Sequence, residues 1–251
     1  MSAADTLHAR SMFHKLCTQP LEVLNANGVC VAGLTGSDTQ SVSLYFGAYQ
    51  GEIRISPTQF LASTFIHAHT GLAMPVPDAV VRCTGLISPW RGHIANTPTR
   101  LHQTLQVPAA ANKLWVTEQQ TGCSVLILKW SAGLYSMVHL QPNADTEFNW
   151  LGKLINRSDL GMAVQKNAWL KPDLTTVAEL SGNGDSPEAY ILVQSLHTAR
   201  RGNSCQVLGI NSAGSFNFYL QTNIDSGVSE SHSTQSLKWT PWIYYLPYLT
   251  Y

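Results

Sequence analysis

Charge is scarce in this chain. Only 12% of its 251 residues are Asp, Glu, Lys or Arg, about half the usual share. Fifteen basic residues balance fifteen acidic ones, so the formal charge is zero. That excludes a nucleic-acid binder working through a broad basic field, and it excludes a disordered tail built from one sign of charge. No run of eighteen apolar residues occurs, so no membrane-spanning helix and no membrane insertion are expected. Met1 to Leu16 carries Arg10, His14 and Lys15 but no apolar stretch closed by small residues. A cleavable leader is therefore not expected, and export by a route that reads none stays open. The five cysteines, Cys17, Cys30, Cys83, Cys123 and Cys205, are odd in number and widely spaced. No two stand at the separation of a zinc knuckle, and isolated thiols in a reduced compartment are the default. Phosphate-loop and dinucleotide fingerprints are missing as well. No metal and no other cofactor is expected.

What is present is an ordinary apolar fraction, 44%, in a chain long enough for one large domain. A globule of this size buries roughly 70–75% of the surface its unfolded chain exposes. Ala4 to Asn25 reads as one or two amphipathic helical turns ending near Pro20. Val29–Leu34, Val42–Tyr49, Glu52–Ile55, Ala79–Cys83 and Gly85–Ser88 read as strands. Gln59 to Thr70 has one apolar side and reads as a helix, stopped by Pro75 and Pro77. Lys113–Thr117, Ser124–Trp130, Leu134–Leu140, Tyr190–Leu196, Cys205–Ile210 and Ser215–Gln221 read as further strands. Leu237 to Tyr251 is crowded with Trp239, Trp242 and tyrosines, and reads as an edge or closing strand. Ser181–Ser186 and Asp225–Ser233 are loop-sized, and no repeat or linker divides the chain. The fold class expected is α+β: a single domain over residues 1–251, with a central, mostly antiparallel β-sandwich flanked by helices and loops.

The hairpin at residues 124–140 carries the chemistry. Ser131-Ala132-Gly133 is a three-residue link, which sets Trp130 opposite Leu134 and Val125 opposite His139. Cys123 then faces Gln141. Alternation along each strand sends Cys123, Val125, His139 and Gln141 to one face. Cys123 and His139 become diagonal neighbours, their Cα atoms roughly 7–8 Å apart. A register slip of one residue would destroy the relation. An imidazole beside a thiol favours the nucleophilic thiolate, protonates a leaving amine and activates water. Gly122 leaves room for substrate and lets backbone N–H groups approach an oxyanion. Thr117 or a backbone carbonyl is available to orient the ring. The competing reading is a core thiol and a hydrogen-bonded interior histidine. The other four cysteines have no histidine similarly placed.

The stretch Val116-Thr117-Glu118-Gln119-Gln120-Thr121-Gly122-Cys123-Ser124-Val125, followed by Tyr135-Ser136-Met137-Val138-His139-Leu140-Gln141-Pro142, resembles the active-site segment of the cysteine-dependent protein glutamine deamidases. That superfamily includes chemotaxis receptor deamidases, the catalytic domain of cytotoxic necrotizing factor and the lethal-factor deamidase of Burkholderia. The shared pattern is a Gly-Cys pair after a strand, then a histidine. Thr117 matches a threonine that shapes the site in the Burkholderia protein. This chain departs from the toxins at Thr121 and Gln120, where Ser and Leu are common. The resemblance covers about 30 residues, the span just quoted. It implies catalysis by Cys123 and His139 with Thr117, and a positioning role for Gly122 and Gln141. It also implies a monomeric toxin or effector acting on a reactive glutamine of a host protein, secreted or injected into the host cytoplasm.

Other features carry weaker chemistry. His67-Ala68-His69 has ligand spacing on a strand but no acidic or cysteine partner nearby. Gly209-Ile210-Asn211-Ser212-Ala213-Gly214 departs from the nucleophile-elbow form and reads as a turn between strands. Ser181-Gly182-Asn183-Gly184-Asp185 lacks the acidic ladder of a calcium loop. Two alternatives to the deamidase stand beside it. One is a carbohydrate- or protein-binding module stacking ligands on Trp90, Trp169, Trp239 or Trp242, against which core packing of the same rings is weighed. The other is a cysteine protease or acyltransferase using the same pair.

Overall fold

The structure is a computed structural model. It describes residues 3–34, 39–49, 51–59, 80–92, 107–108, 112–120, 124–130, 134–141, 187–194, 205–222 and 232–242. The expected helix at Gln59–Thr70 with Pro75 and Pro77, the loop at Ser181–Ser186 and most of the aromatic tail lie outside these residues.

Two helices open the chain, α1 (Ala3–Thr18) and α2 (Pro20–Ala26). In α1 the positions that turn inward are Ala9, Met12, Phe13 and Leu16, the spacing of one helix face. Thr18 Oγ1 returns to the His14 carbonyl at the helix end. Pro20 does not merely stop α1; it sits in the first turn of α2, where its missing N–H costs nothing.

Eight strands form the first sheet: β1 (Gly28–Val31), β2 (Gln40–Tyr49), β3 (Glu52–Ser56), β4 (Val80–Ser88), β7 (Leu114–Thr117), β11 (Cys205–Ser212), β12 (Ser215–Thr222) and β13 (Ser233–Ser236), in the order β1-β3-β2-β4-β7-β11-β12-β13. The second sheet holds β5 (Trp90–Gly92), β6 (Val107–Pro108), β8 (Ser124–Lys129), β9 (Leu134–Gln141), β10 (Ala189–Gln194) and β14 (Thr240–Pro241), ordered β14-β10-β8-β9-β5, with β6 also on β9. Among the described residues only β1–β3, β4–β7 and β5–β9 pair in parallel, so the mostly antiparallel sandwich read from the sequence stands. The two stretches expected at Ala79–Cys83 and Gly85–Ser88 are one strand. It runs through Gly85, where a Cβ would collide with the Leu44 side chain and lie 2.8 Å from the Leu114 carbonyl. The strands β5, β6 and β13 were not expected; β13 reads Ser-Thr-Gln-Ser and offers no apolar signal.

The layers follow from alternation. On the eight-stranded sheet, Leu44, Phe46, Ile87, Leu114, Val116, Leu208 and Ile210 pack with Leu16, Val23 and Leu24 of the helices. From the opposite face, Leu86, Trp115, Val207, Phe216, Phe218 and Leu220 meet Val125, Ile127, Tyr135, Met137, Ile191 and Val193 of the six-stranded sheet. The eight-stranded sheet is thus the middle layer. Its central strand β7 is buried at every residue, which is why it reads as a continuous apolar run.

That middle sheet is curled into a half-barrel around the helices. β1 and β12 stand six strand spacings apart, roughly 29 Å in a flat sheet. Yet the Val29 N–H donates to Gln221 Oε1 of β12 at 2.8 Å. Gln221 Nε2 donates in turn to the carbonyls of Leu24 and Asn27, at 2.7 and 2.9 Å. No left-handed glycine closes α2, whose C-cap Asn27 is extended. A side chain from a distant strand satisfies the terminal carbonyls instead. Gln221→Leu keeps the bulk but orphans the Val29 N–H and the Asn27 carbonyl. It is expected to lower stability by about 2–4 kcal/mol, read from urea midpoints at unchanged slope. A loss below about 0.5 kcal/mol would show that water replaces the amide.

Candidate functional site

The hairpin forms in the register its link dictates. The Trp130 N–H donates to the Leu134 carbonyl at 2.8 Å, Val125 pairs with His139 and Ser124 with Leu140. Val125, Ile127, Tyr135 and Met137 line the sandwich interior. His139 continues that face and is 2% exposed.

At the same end of the sandwich the chain passes twice from one sheet to the other. Ser88 ends β4 paired with Thr117; after Pro89, Trp90 opens β5 paired with His139. Proline has no N–H to extend the first ladder, and it holds Ser88 in the extended region. The second passage runs from Gln120, bridged to Cys205, to Ser124, paired with Leu140 and Gln194. Thr117 and His139 therefore belong to different sheets and meet at the seam.

Their contact is a hydrogen bond of 2.7 Å between Thr117 Oγ1 and His139 Nδ1. Thr117 Oγ1 also donates to the Ser88 carbonyl at 2.7 Å. A hydroxyl has one proton. With that proton on the Ser88 carbonyl, Thr117 can only accept from the ring, so Nδ1 carries the hydrogen. In the neutral imidazole the lone pair is then on Nε2, the atom that would take or return a proton in acyl chemistry.

A β-bulge shapes the rest of the seam. Val116 pairs with Leu208, but the next bridge joins Gln120 to Cys205, so three residues oppose two. The extra residue resets the alternation, and Gln120 comes to share a side with Cys205, whose neighbours are in the sandwich core. Gln206 spans the bulge, its Nε2 donating to the Thr117 carbonyl at 2.7 Å. Gln120 is fully buried and takes a long contact of 3.8 Å from Cys205 Sγ. Gln120 Nε2 and Gln206 Oε1 are buried atoms with no hydrogen-bond partner among the described residues.

Of the residues singled out in the sequence, Thr117 and His139 are brought together. Cys123 and Gly122 lie outside the described residues. Gln141 ends β9 opposite Gly92, and its side chain is outside them too, as are His67, His69, Trp169, Ser181–Asp185 and the Trp90 side chain. Gly209 to Gly214 is the β11–β12 hairpin: Ala213 and Gly214, at φ 52° and 84°, make the two-residue turn between Ser212 and Ser215 of the twist-matched kind. Trp239 packs on Tyr135 and Phe218, and Trp242 on Tyr190, so both rings sit in core contacts. Ser88, Thr39, Gln206 and the bulge were not singled out. Only Ser88-Pro89, a polar residue held at a strand end, left a trace in the sequence. Among the described residues, no group of three or more His, Cys, Asp or Glu is placed to hold a metal.

The other four thiols are all described. Burial pushes Cys30 and Cys83 up to about 12, the former helped by the Glu52 charge and opposed by Arg54. Desolvation also raises Cys17, against the lowering effect of Lys113. Cys205 is fully buried.

No family model matches this chain, and no curated protein matches it. Among solved structures it is weakly similar to the C-terminal domain of CNFy from Yersinia pseudotuberculosis, with 14% identity and a TM-score of 0.39, over 94% of this chain and 100% of that one.

The raised thiols make stability depend on alkaline pH. Folding keeps Cys30 and Cys83 protonated up to about 12, whereas the unfolded chain releases those protons near 9.0. Between these values the unfolded state binds fewer protons, so stability is full below about pH 9 and falls as pH rises. Urea midpoints compared at about pH 8 and about pH 10.5 are expected to drop. The drop should shrink in the Cys30→Ala, Cys83→Ala double variant; an unchanged drop would place its cause elsewhere.

Proposed function

We propose that this chain is a cysteine-dependent protein glutamine deamidase, with Cys123 as nucleophile, His139 as acid and base, and Thr117 as the group that orients the imidazole. The observation that carries this reading is the Thr117–His139 hydrogen bond at 2.7 Å, made with the Thr117 proton already on the Ser88 carbonyl. A buried histidine has its basic nitrogen assigned by its surroundings. It pairs with Val125, two residues along from Cys123, in a segment whose sequence resembles the deamidases.

The Cys123 thiolate attacks the carboxamide carbon of a glutamine on a protein substrate. The C–S bond forms and the oxygen takes negative charge near the Gly122 backbone. Collapse breaks the C–N bond, and ammonia leaves with a proton from His139. Water then gives a proton to His139 Nε2 and attacks the thioester. The C–S bond breaks, the thiolate is restored and glutamate remains. Gln141, two residues beyond His139, helps position the substrate. A neutral amide becomes a carboxylate, a change that can remove an interface contact in the target. The biological setting that fits is a bacterial toxin or effector, monomeric and free of cofactors, secreted or injected to act on a host protein.

The direct test is peptide mass spectrometry of host-cell lysate treated with the protein beside Cys123→Ser. Conversion of one glutamine to glutamate above the control is expected. Equal conversion in both samples overturns the assignment, and peptide cleavage or a new acyl adduct would change the reaction class. The orienting role of Thr117 has its own test. Thr117→Val should lower kcat/KM on the order of 10- to 100-fold and stability by about 1–3 kcal/mol, while Thr117→Ser keeps the hydroxyl and most of both. Turnover in Thr117→Val equal to that of the unaltered protein would remove Thr117 from the mechanism.

A further inference from the structure

The residue whose carbonyl takes the Thr117 proton, Ser88, also carries a second chain of hydrogen bonds through its side chain, and the proton count sets that chain's direction. Trp115 Nε1–H donates to Ser88 Oγ at 2.8 Å. Thr39 Oγ1 donates to the Met137 carbonyl at 3.3 Å. Thr39 and Ser88 hydroxyls stand 2.8 Å apart. With the Thr39 proton on Met137, Ser88 must be the donor to Thr39. Every proton then points one way: from the indole to Ser88, from Ser88 to Thr39, and from Thr39 to β9, two residues before His139. Thr39, Ser88, Trp115, Thr117 and His139 are all buried, and Met137 is too.

The chain has a mechanical consequence. Ser88 is clamped by its side chain between Trp115 and Thr39, and Pro89 behind it keeps its backbone extended. This fixes where its carbonyl points, and that carbonyl takes the Thr117 proton. The same Thr39 hydroxyl ties the β4 end to the strand that carries His139. We propose that Ser88 and Thr39 are positioning residues which, acting through Thr117, hold His139 in its Nδ1–H tautomer and make Nε2 the basic nitrogen. The proposal deepens the deamidase reading and rests on it for its functional meaning. The tautomer itself is a property of the protein without substrate.

The test is a long-range proton–nitrogen correlation spectrum of the ¹⁵N-labelled full chain, above the pH at which the imidazoles titrate, with His139 assigned from His139→Gln. The unaltered protein is expected to carry its His139 hydrogen on Nδ1, the form that free neutral imidazole side chains favour less. Thr39→Val and Ser88→Ala should each move the tautomer ratio toward Nε2–H by about tenfold, the weight of one hydrogen bond; Thr39→Ser should restore it. Ser136→Ala is the control. It strips the hydroxyl bonded to Trp130 Nε1, a buried loss with no link to Thr117, and should leave the ratio unmoved. An Nε2–H form in the unaltered protein overturns the proposal, and so does an unchanged ratio in Thr39→Val. If Ser88→Ala fails to fold, the unaltered protein and Thr39→Val still decide. Because the spectrum is read without substrate, failure of the deamidase reading leaves the tautomer assignment intact, and the converse also holds.

Discussion

Thr117 has one proton to give, and where it goes orders the seam between the two sheets. The hydroxyl stands between the Ser88 carbonyl and His139 Nδ1 at 2.7 Å from each. It can donate to only one of them. In a buried, weakly screened interior a misdirected proton would leave a carbonyl or a ring nitrogen unmet, at about 1–3 kcal/mol each. Two donors facing each other would be worse. The arrangement is therefore close to all-or-none. The histidine orientation is inherited from groups on β4, β7 and the residue before β2, rather than chosen by the ring.

That inheritance requires the two sheets to be held in fixed register, which is the work of the middle layer. Apolar side chains leave both faces of β7 and β11, so each sheet-to-sheet and sheet-to-helix contact constrains the others. Trp115 packs edge-on against Phe216 at 5.3 Å while its indole N–H meets Ser88. One residue thus fills the core and directs the polar chain. At the far side, Gln221 holds β12, β1 and the end of α2 together, which keeps the half-barrel closed around the helices.

The parts of this design that rest on local pattern were legible in the sequence. The link at residues 131–133 sets the hairpin, and the observed pairing of Val125 with His139 is the one it implies. The amphipathic character of α1 and the strands around Val42, Glu52 and Cys205 follow from the same kind of reasoning. What depends on distant partners was not legible. Thr39 and Ser88 are 49 residues apart, and neither sits in a motif. The bulge at residues 117–120 is visible only as two incompatible registers against β11. β13 is a polar strand whose pairing is decided by β12, not by its own propensity. The sequence pattern divides β4 into Ala79–Cys83 and Gly85–Ser88, whereas the close approach of Leu44 and the Leu114 carbonyl demands a glycine within one continuous strand.

A sandwich core needs only packing, and the seam contains far more than packing requires. Between residues 117 and 120 the interior receives Thr117, Gln119 and Gln120, faced by Gln206 and His139, all buried. Apolar residues of similar volume would satisfy the same space without hydrogen-bonding demands. Instead Gln120 Nε2 and Gln206 Oε1 are buried with no partner among the described residues, a cost of about 1–3 kcal/mol apiece. Elsewhere in the same layer Gln221 shows that this fold can saturate a buried amide completely. The excess polarity is thus local, and it lies on the described segment Thr117–Gln120 where that segment faces Gln206 and His139. Sequences that specify one structure consistently tend to break their own rules at working sites. The stability given up there lies beside the imidazole whose tautomer we propose is set by Thr117, Ser88 and Thr39, and packing alone does not account for it.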